Sequence, residues 1–274
     1  MRVFVIGSTG MLGKYVSTYL KDYYDLVVIN RKDIDVSSIN ESELKSRFVN
    51  LNLNEGDVVI NCAGSIKPRV DELGDLNAIL VNSVFPRILA NVCEEFKVKM
   101  IHPTTDCVYT GNKGNYSEND IYDVADVYGM SKALGEPKNC TVIRTSIMGE
   151  EVNQGRSLIE WVKSEKNKTV FGFTNHFWNG VTCLEFAKIC KKMIDNNIFW
   201  LGTKHLHSNT LNKKELVELI SSSFNLNVNV IEKQTEKSCD RSITSIYNDI
   251  NQFNIPNLKT QLEELKEFSK SLYR

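Results

Sequence analysis

The chain is expected to fold as an α/β protein: a doubly wound parallel sheet, followed by a smaller C-terminal α+β lobe. Three observations carry this. An apolar run at residues 3–6 leads at once into Gly7-Ser8-Thr9-Gly10-Met11-Leu12-Gly13 and then a helical pattern. Over the first 150 residues, short apolar runs alternate with helical periodicity, the rhythm of a sheet covered on both faces. After about residue 150 that rhythm changes.

The elements follow in order. Residues 3–6 read as a buried strand. Residues 11–23 read as a helix, because Leu12, Val16, Tyr19, Leu20 and Tyr23 recur near a 3.6 period. A second strand is expected at 26–29, a short helix at 42–48 and a buried strand at 57–61. Residues 76–96 read as a long helix kinked or broken at Pro86, since proline removes a donor and clashes with the preceding turn. Strands at 100–104 and 141–144 flank a loop and a helix containing Tyr128. Beyond 150, residues 182–196 form an amphipathic helix with lysines opposite its apolar face. Asn212 suits the N-cap of a helix at 213–224. A strand at 226–231 and a closing helix at 258–272 complete the chain.

Composition narrows the function. The 274 residues are 42% hydrophobic and 24% charged, with a formal net charge of −1. That length is enough for one large domain, or a domain with an attached lobe. Near-zero charge and the lack of a basic stripe argue against nucleic acid as a partner. The seven cysteines are scattered at 62, 93, 107, 140, 183, 190 and 239. No pair has metal-ligand spacing, so reduced thiols and no metal are expected. The N-terminal apolar run is too short for a signal peptide, and no stretch is expected to be long enough to span a membrane. The expectation is a soluble cytoplasmic protein.

In a strand–loop–helix unit, glycines let the backbone turn tightly and approach a pyrophosphate, while the helix N-terminus offers free N–H groups. Gly7, Gly10 and Gly13 stand in that position, with Thr9, Met11 and Leu12 between them. Residues 1–150 are therefore expected to be a dinucleotide-binding, Rossmann-type domain. The end of the second strand selects the cofactor: an acid there holds the ribose 2′-hydroxyl and repels a 2′-phosphate. This chain has Asn30-Arg31-Lys32 instead. A guanidinium suits a phosphate dianion, so NADPH is expected over NADH, although Arg31 and Lys32 would also serve as plain loop charges. Asp35 and Val36 are expected beside the adenine. Cys62, Ala63 and Gly64, after Asn61, are expected along the ribose and phosphate path.

Tyr128 and Lys132 are four residues apart, so a helix puts both on one face. A free phenol, with a pKa near ~10, is a weak acid–base group at neutral pH. An adjacent ammonium favours the phenolate and lowers that value. Thr104-Thr105-Asp106 ends the strand at 100–104, where α/β sheets place their ligands. A hydroxyl there suits a hydrogen bond to the reacting oxygen.

Together these segments resemble the extended short-chain dehydrogenase/reductases, and within them the sugar-nucleotide reductases of the dTDP-4-dehydrorhamnose reductase type. The resemblance is carried by residues 7–13, Asn30-Arg31, Asn61-Cys62-Ala63-Gly64, Val81-Asn82, and residues 101–109, 127–136 and 143–146. It is strong to about residue 150 and diffuse beyond. It implies that Thr105, Tyr128 and Lys132 form a catalytic triad, that Lys132 and Asn82 border the cofactor, and that NADPH reduces C4 of a nucleotide-linked 4-keto-6-deoxy sugar. Residues 151–274 would be mainly the substrate lobe, crossing back to the first domain. Homodimers are common among such enzymes, although no segment here marks an interface.

Position 107 separates branches of this group. The 4,6-dehydratases carry glutamate there; Cys107 resembles the bifunctional 3,5-epimerase/reductases, whose thiol acts as a base once its pKa is lowered. A small buried residue is the equal alternative. The epimerases' partner acid, a His or Lys in the next helix, has no clear counterpart in Asn153-Gln154-Gly155-Arg156, and Lys163 lies further along. In the lobe, His176, Trp178 and Asn179 are expected near the sugar nucleotide, Trp178 or Phe177 by stacking, though a domain junction needs the same bulky side chains. By the resemblance, Arg241 clamps the diphosphate alongside Thr104, Thr105, Asp106 and Cys107 at the sugar. His205 and His207, expected to alternate on a strand at 204–208, read as structural. Two alternatives remain open: a C3 epimerase/4-reductase using Cys107, or a non-catalytic NADP-binding regulatory subunit, since the regulatory subunit of methionine adenosyltransferase resembles the same reductases.

Overall fold

The computed structural model describes residues 1–151 and 157–272. Five strands appear in the first half: β1 (Arg2–Ile6), β2 (Asp25–Ile29), β3 (Val58–Asn61), β4 (Lys99–Thr104) and β5 (Thr141–Arg144). A strand from the second half, Gly202–His205, joins the far edge. The sheet order is Gly202–His205, β5, β4, β3, β1, β2. Every neighbouring pair is parallel. Alternate side chains supply both faces. Val3, Val5, Val58, Ile60 and Ile143 enter one core, while Phe4, Ile6, Val59, Met100 and Val142 enter the other. The strand order reverses between β1 and β3, which opens a crevice at their carboxyl ends.

Helix α1 (Met11–Leu20) follows the glycine loop and packs Val16 and Leu20 against Phe186 and Cys190 of the helix Cys183–Asp195. It ends three residues earlier than periodicity suggests, because Tyr23 and Tyr24 turn back onto the Leu20 carbonyl. Residues 183–205 thus return to cover and extend the sheet. The rest of the second half builds its own core from Ile159, Trp178, Leu216, Ile220, Leu262 and Leu265, with Tyr15 of α1 shared.

Several expectations need correction. The helix expected at 42–48 runs Glu41–Asn50, started by a reciprocal capping box between Asn40 and Glu43. The stretch expected as one helix at 76–96 is Asp75–Ile79, a wide π turn at Leu80–Val84, and Phe85–Glu95. Pro86 cannot donate to the Asn82 carbonyl, so the ladder widens there, and that carbonyl packs instead where a Gly135 side chain would sit. A further helix, Lys67–Leu73, was not anticipated. Contrary to the reading that nothing here could span a bilayer, Asp75–Glu95 is long and apolar enough by length and composition, with mean hydropathy 1.4. Its inward face packs in the sheet core through Phe85, Leu89 and Val92. The strand expected at 226–231 lies at Asn229–Lys233. Asn225 adopts a left-handed conformation that ends the preceding helix, and the Leu226 N–H folds back onto Ser221. The strand expected at 204–208 is Gly202–His205, which leaves His207 beyond it.

Candidate active site

The glycine loop occupies the crevice where the sheet order reverses. Gly7 has φ +79°, and a Cβ there would sit 2.6 Å from the Ala63 nitrogen. A Cβ on Gly13 would sit 2.1 Å from the Gly7 carbonyl oxygen. The first glycine therefore lets β1 pass the end of β3, and the third lets α1 seat on the loop. Gly10 is different: its Cβ would meet only the Gly7 oxygen at 3.4 Å, an ordinary contact. It caps α1 with no side-chain hydrogen bond, and the first turn carries no acid. The helix N-terminus is left open toward the crevice.

A cleft of about 240 Å³ lies over this loop. Gly7, Thr9, Gly10, Asn30, Arg31, Asp35, Val36, Cys62, Ala63 and Gly64 all line it. Met11 lines a second, larger cavity next door, Leu12 packs in the two cores beside the helix, and Lys32 is exposed in the following turn. Arg31 pairs with Asp35 at 3.4 Å. The Ser37 hydroxyl and N–H, with Arg31 adding, hold the Asp35 carboxyl below its ordinary range. Asn82 faces elsewhere. Its amide accepts from the Ser65 N–H at 2.8 Å and donates to the Ser65 carbonyl at 3.0 Å and the Ser131 hydroxyl at 3.1 Å. It braces the segment after β3 against the Tyr128 helix.

At the end of β4, the Thr105 hydroxyl accepts from the Cys107 N–H at 3.1 Å and starts a short turn, Asp106–Val108. The helix Val127–Leu134 lies flush on that turn: a Cβ on Gly129 would be 2.4 Å from the Cys107 carbonyl oxygen. Tyr128 and Lys132 are thereby fixed on either side of this contact. Thr105 lies within hydrogen-bonding reach of the Tyr128 phenol. Burial, with Cys107 beside it, pushes that phenol above its ordinary value. The shift is opposite to the lowering expected from Lys132, so Tyr128 keeps its proton. The Lys132 amine crosses the Gly64 backbone, 2.7 Å from where a side chain at 64 would begin. Burial brings it down to about 8, against the opposing pull of Glu136.

Cys107 does not have the environment of a base. Burial, and then the Asp106 charge, push its thiol up to about 12, and Arg241 opposes them only in part. Lys163 is also engaged: its ammonium donates to Glu150 and, at 2.9 Å, to Glu160. Residues 153–156, including Arg156, lie outside the described residues.

The second cavity, about 780 Å³, is lined by Thr9, Gly10, Met11, Ser146, Ile147, Met148, Trp178 and Lys213 among others. Of the residues expected at the substrate, Trp178 reaches it. Thr104 is buried at the end of β4, its hydroxyl without a hydrogen-bond partner. Asp106 is buried beside Arg241 and Lys213, and desolvation raises its carboxyl. Arg241 donates to the Tyr109 carbonyl at 3.0 Å and lies near Asp106 and Cys107. His176 instead bonds the Thr235 hydroxyl at 2.7 Å, and Asn179 is spent on the backbone of Ile243. Both shape the loop that presents Arg241.

Three groups escaped the sequence reading. Lys213 sits 5.8 Å from the Trp178 ring centroid, and burial lowers its ammonium. The signal for it was a lysine in the first turn of a helix, the end a cation disfavours. Arg69, on the unanticipated helix, lines both cavities. Behind the site, Arg144 at the end of β5 pairs with Glu136, just past the Tyr128 helix, and donates to the hydroxyls of Tyr109 and Tyr122 at 2.8 Å each. His205 joins this buried network; burial, and then Arg144, bring it down to about 4, so it is neutral. The structural role read for it fits this placement.

Comparison with known proteins places the chain. It belongs to the family described as RmlD substrate binding domain, whose model matches residues 1–235. It is 30% identical over 154 residues to a dTDP-4-keto-6-deoxy-D-glucose reductase of Streptomyces niveus, a match covering 53% of this chain and 52% of that one. A longer match, 25% identical over 267 residues, covers 86% of this chain and 78% of methionine adenosyltransferase 2 subunit beta of Danio rerio. For most of the curated relatives the chain spans about half their length. The fold is that of a dTDP-4-dehydrorhamnose reductase from Bacillus anthracis solved with NADP: TM-score 0.79, 21% identity, 97% of this chain and 98% of that one.

Proposed function

We propose that this chain is an NADPH-dependent oxidoreductase that reduces the C4 ketone of a nucleotide-linked 4-keto-6-deoxy sugar. The observation that carries this reading is that Thr105 lies within reach of the Tyr128 phenol, one helical turn from Lys132, whose amine crosses Gly64 on the border of both cavities. The cleft fits a dinucleotide on its own terms. Gly10 is small where nothing in the protein requires it, and the open N-terminus of α1 faces the same space. The relatives named as dTDP-sugar reductases, and the NADP bound to a protein of the same fold, support the assignment. NADPH is favoured over NADH because β2 ends without an acid and Arg31 borders the cleft. The seven free cysteines fit a reducing, cytoplasmic compartment.

When bound, the nicotinamide supplies the hydride that converts the ketone to an alkoxide. The chain supplies the proton and the alignment. Tyr128, held neutral by burial, donates its phenolic proton to the sugar O4. Thr105 orients that oxygen from the end of β4. Lys132, passing over Gly64, holds the cofactor ribose and stabilises the phenolate left behind. Trp178 covers the sugar, and Arg241 holds the diphosphate with Lys213 nearby. Cys107 is held as a neutral thiol, so C3 epimerisation is not part of this reading. The intact triad weighs against a purely regulatory subunit, which has no physical need of all three groups.

The experiment is NADPH consumption with freshly made dTDP- and UDP-linked 4-keto-6-deoxy sugars, each with a 2-hydroxyl or a 2-acetamido group. Turnover on one of them, lost at least about a thousandfold in Tyr128→Phe with NADPH binding retained, supports the reading. Binding of NADPH with no oxidation on any of the four overturns it and returns weight to a regulatory subunit.

A further inference from the structure

The glycine-loop cleft and the larger second cavity share four lining residues: Thr9, Gly10, Gly64 and Arg69. Three are small. Arg69 is the one charged residue among these four. A dinucleotide reaching from one cavity to the other carries its diphosphate across this seam. We infer that Arg69 clamps the cofactor diphosphate from the open side of the cleft, facing the bare N-terminus of α1. The inference rests on the reading of the cleft as a dinucleotide site.

The surroundings prepare Arg69 for an anion. Arg69 is half-buried, and of the carboxylates lining the second cavity with it, Glu150 pairs with Lys163. Among neighbouring cations, Lys67 on the same helix pairs with Asp126 at 3.6 Å, and Arg31 across the cleft pairs with Asp35. Desolvating a guanidinium is costly, and a phosphate removes that cost through charge-assisted hydrogen bonds. The backbone beneath Arg69 is held in place. Pro68 fixes the first turn of the helix, Val70 is buried, and Ser65, where the chain leaves β3, is held through both its N–H and carbonyl by Asn82. Asn82 thus acts on the cofactor as a positioning residue through this segment rather than by touching it.

The clamp makes a prediction that a 2′-phosphate contact does not. NADPH and NADH have the same diphosphate, so Arg69→Met should weaken both by a similar factor, about tenfold or more. Arg31→Met should weaken NADPH alone. Affinities are read from nicotinamide fluorescence on binding, without turnover, with Arg69→Lys and a thermal melt as folding controls. Equal losses for both cofactors support the clamp. A loss confined to NADPH, or no loss in a folded Arg69→Met, overturns it. Wild-type protein that binds neither dinucleotide overturns the cofactor reading itself, and the clamp with it.

Discussion

The glycine-loop cleft and the larger cavity beside it adjoin, yet they are built by different means. The cleft is made of backbone. Gly7 and Gly13 are imposed by contacts of 2.6 and 2.1 Å that any side chain would violate, and Gly64 leaves room for one lysine amine. The cavity is made of side chains drawn from distant segments: Ser146 to Met148 after β5, Trp178 from the lobe, and Lys213 from the start of a helix. A site made of backbone constrains a short stretch of sequence severely. A site made of converging side chains leaves each stretch nearly free, and so leaves room for substrate specificity to change.

That contrast can be broken most forcefully at the glycines. Gly13→Ala is expected to leave little folded protein, because its Cβ meets the Gly7 backbone, which cannot yield as a flexible side chain can. Gly10→Ala should fold with a melting temperature within a few degrees of wild type and lose cofactor affinity instead. Thermal melts with cofactor titration check both. If Gly10→Ala unfolds as Gly13→Ala does, the middle glycine belongs to the fold, and the case for a ligand above it fails.

Lys132 sharpens the comparison where the two regions meet. Its amine is brought down to about 8 in the folded protein from an ordinary 10.5. Reduction should therefore decline as pH rises through about 8 and the ammonium is lost, while Tyr128 keeps its proton across that range. The stability sign is opposite. Between about 8 and 10.5 the unfolded chain binds the proton and the native state does not, so wild type gains stability as pH rises. Lys132→Met should abolish reduction yet melt higher than wild type at pH 7, by about 2–4 °C for each kcal/mol of removed burial cost. That advantage should shrink as pH approaches 10.5. A variant that melts lower at pH 7 would mean that the lysine is structural.

The sequence was most legible where local chemistry and fold agreed. The parallel sheet, the glycine loop and the helix that carries Tyr128 and Lys132 each follow from a periodicity or spacing within a few residues. The Asn212 cap with Glu215 could be read the same way. Legibility failed where distant groups decide. Asn179 and His176 looked like ligands because amides and imidazoles bind sugars, but Ile243 and Thr235, some sixty residues away, claim them. The drop expected in the Tyr128 pKa rests on spacing alone; burial, which spacing cannot report, raises it instead. Arg69 left no trace, since one arginine in a polar stretch reads as a solvated charge until the two cavities that meet at it are visible.

The most direct test follows a label. NADPH deuterated at the transferred position of its nicotinamide is supplied with the nucleotide-linked 4-keto-6-deoxy sugar that turns over, and the product is read by NMR. The account requires deuterium at C4 of the sugar and, in a parallel reaction run in deuterated water, none at C3 or C5. Deuterium from solvent at C3 or C5 would show that Cys107 or another base removes those protons. A product without label at C4 would contradict hydride transfer at this site.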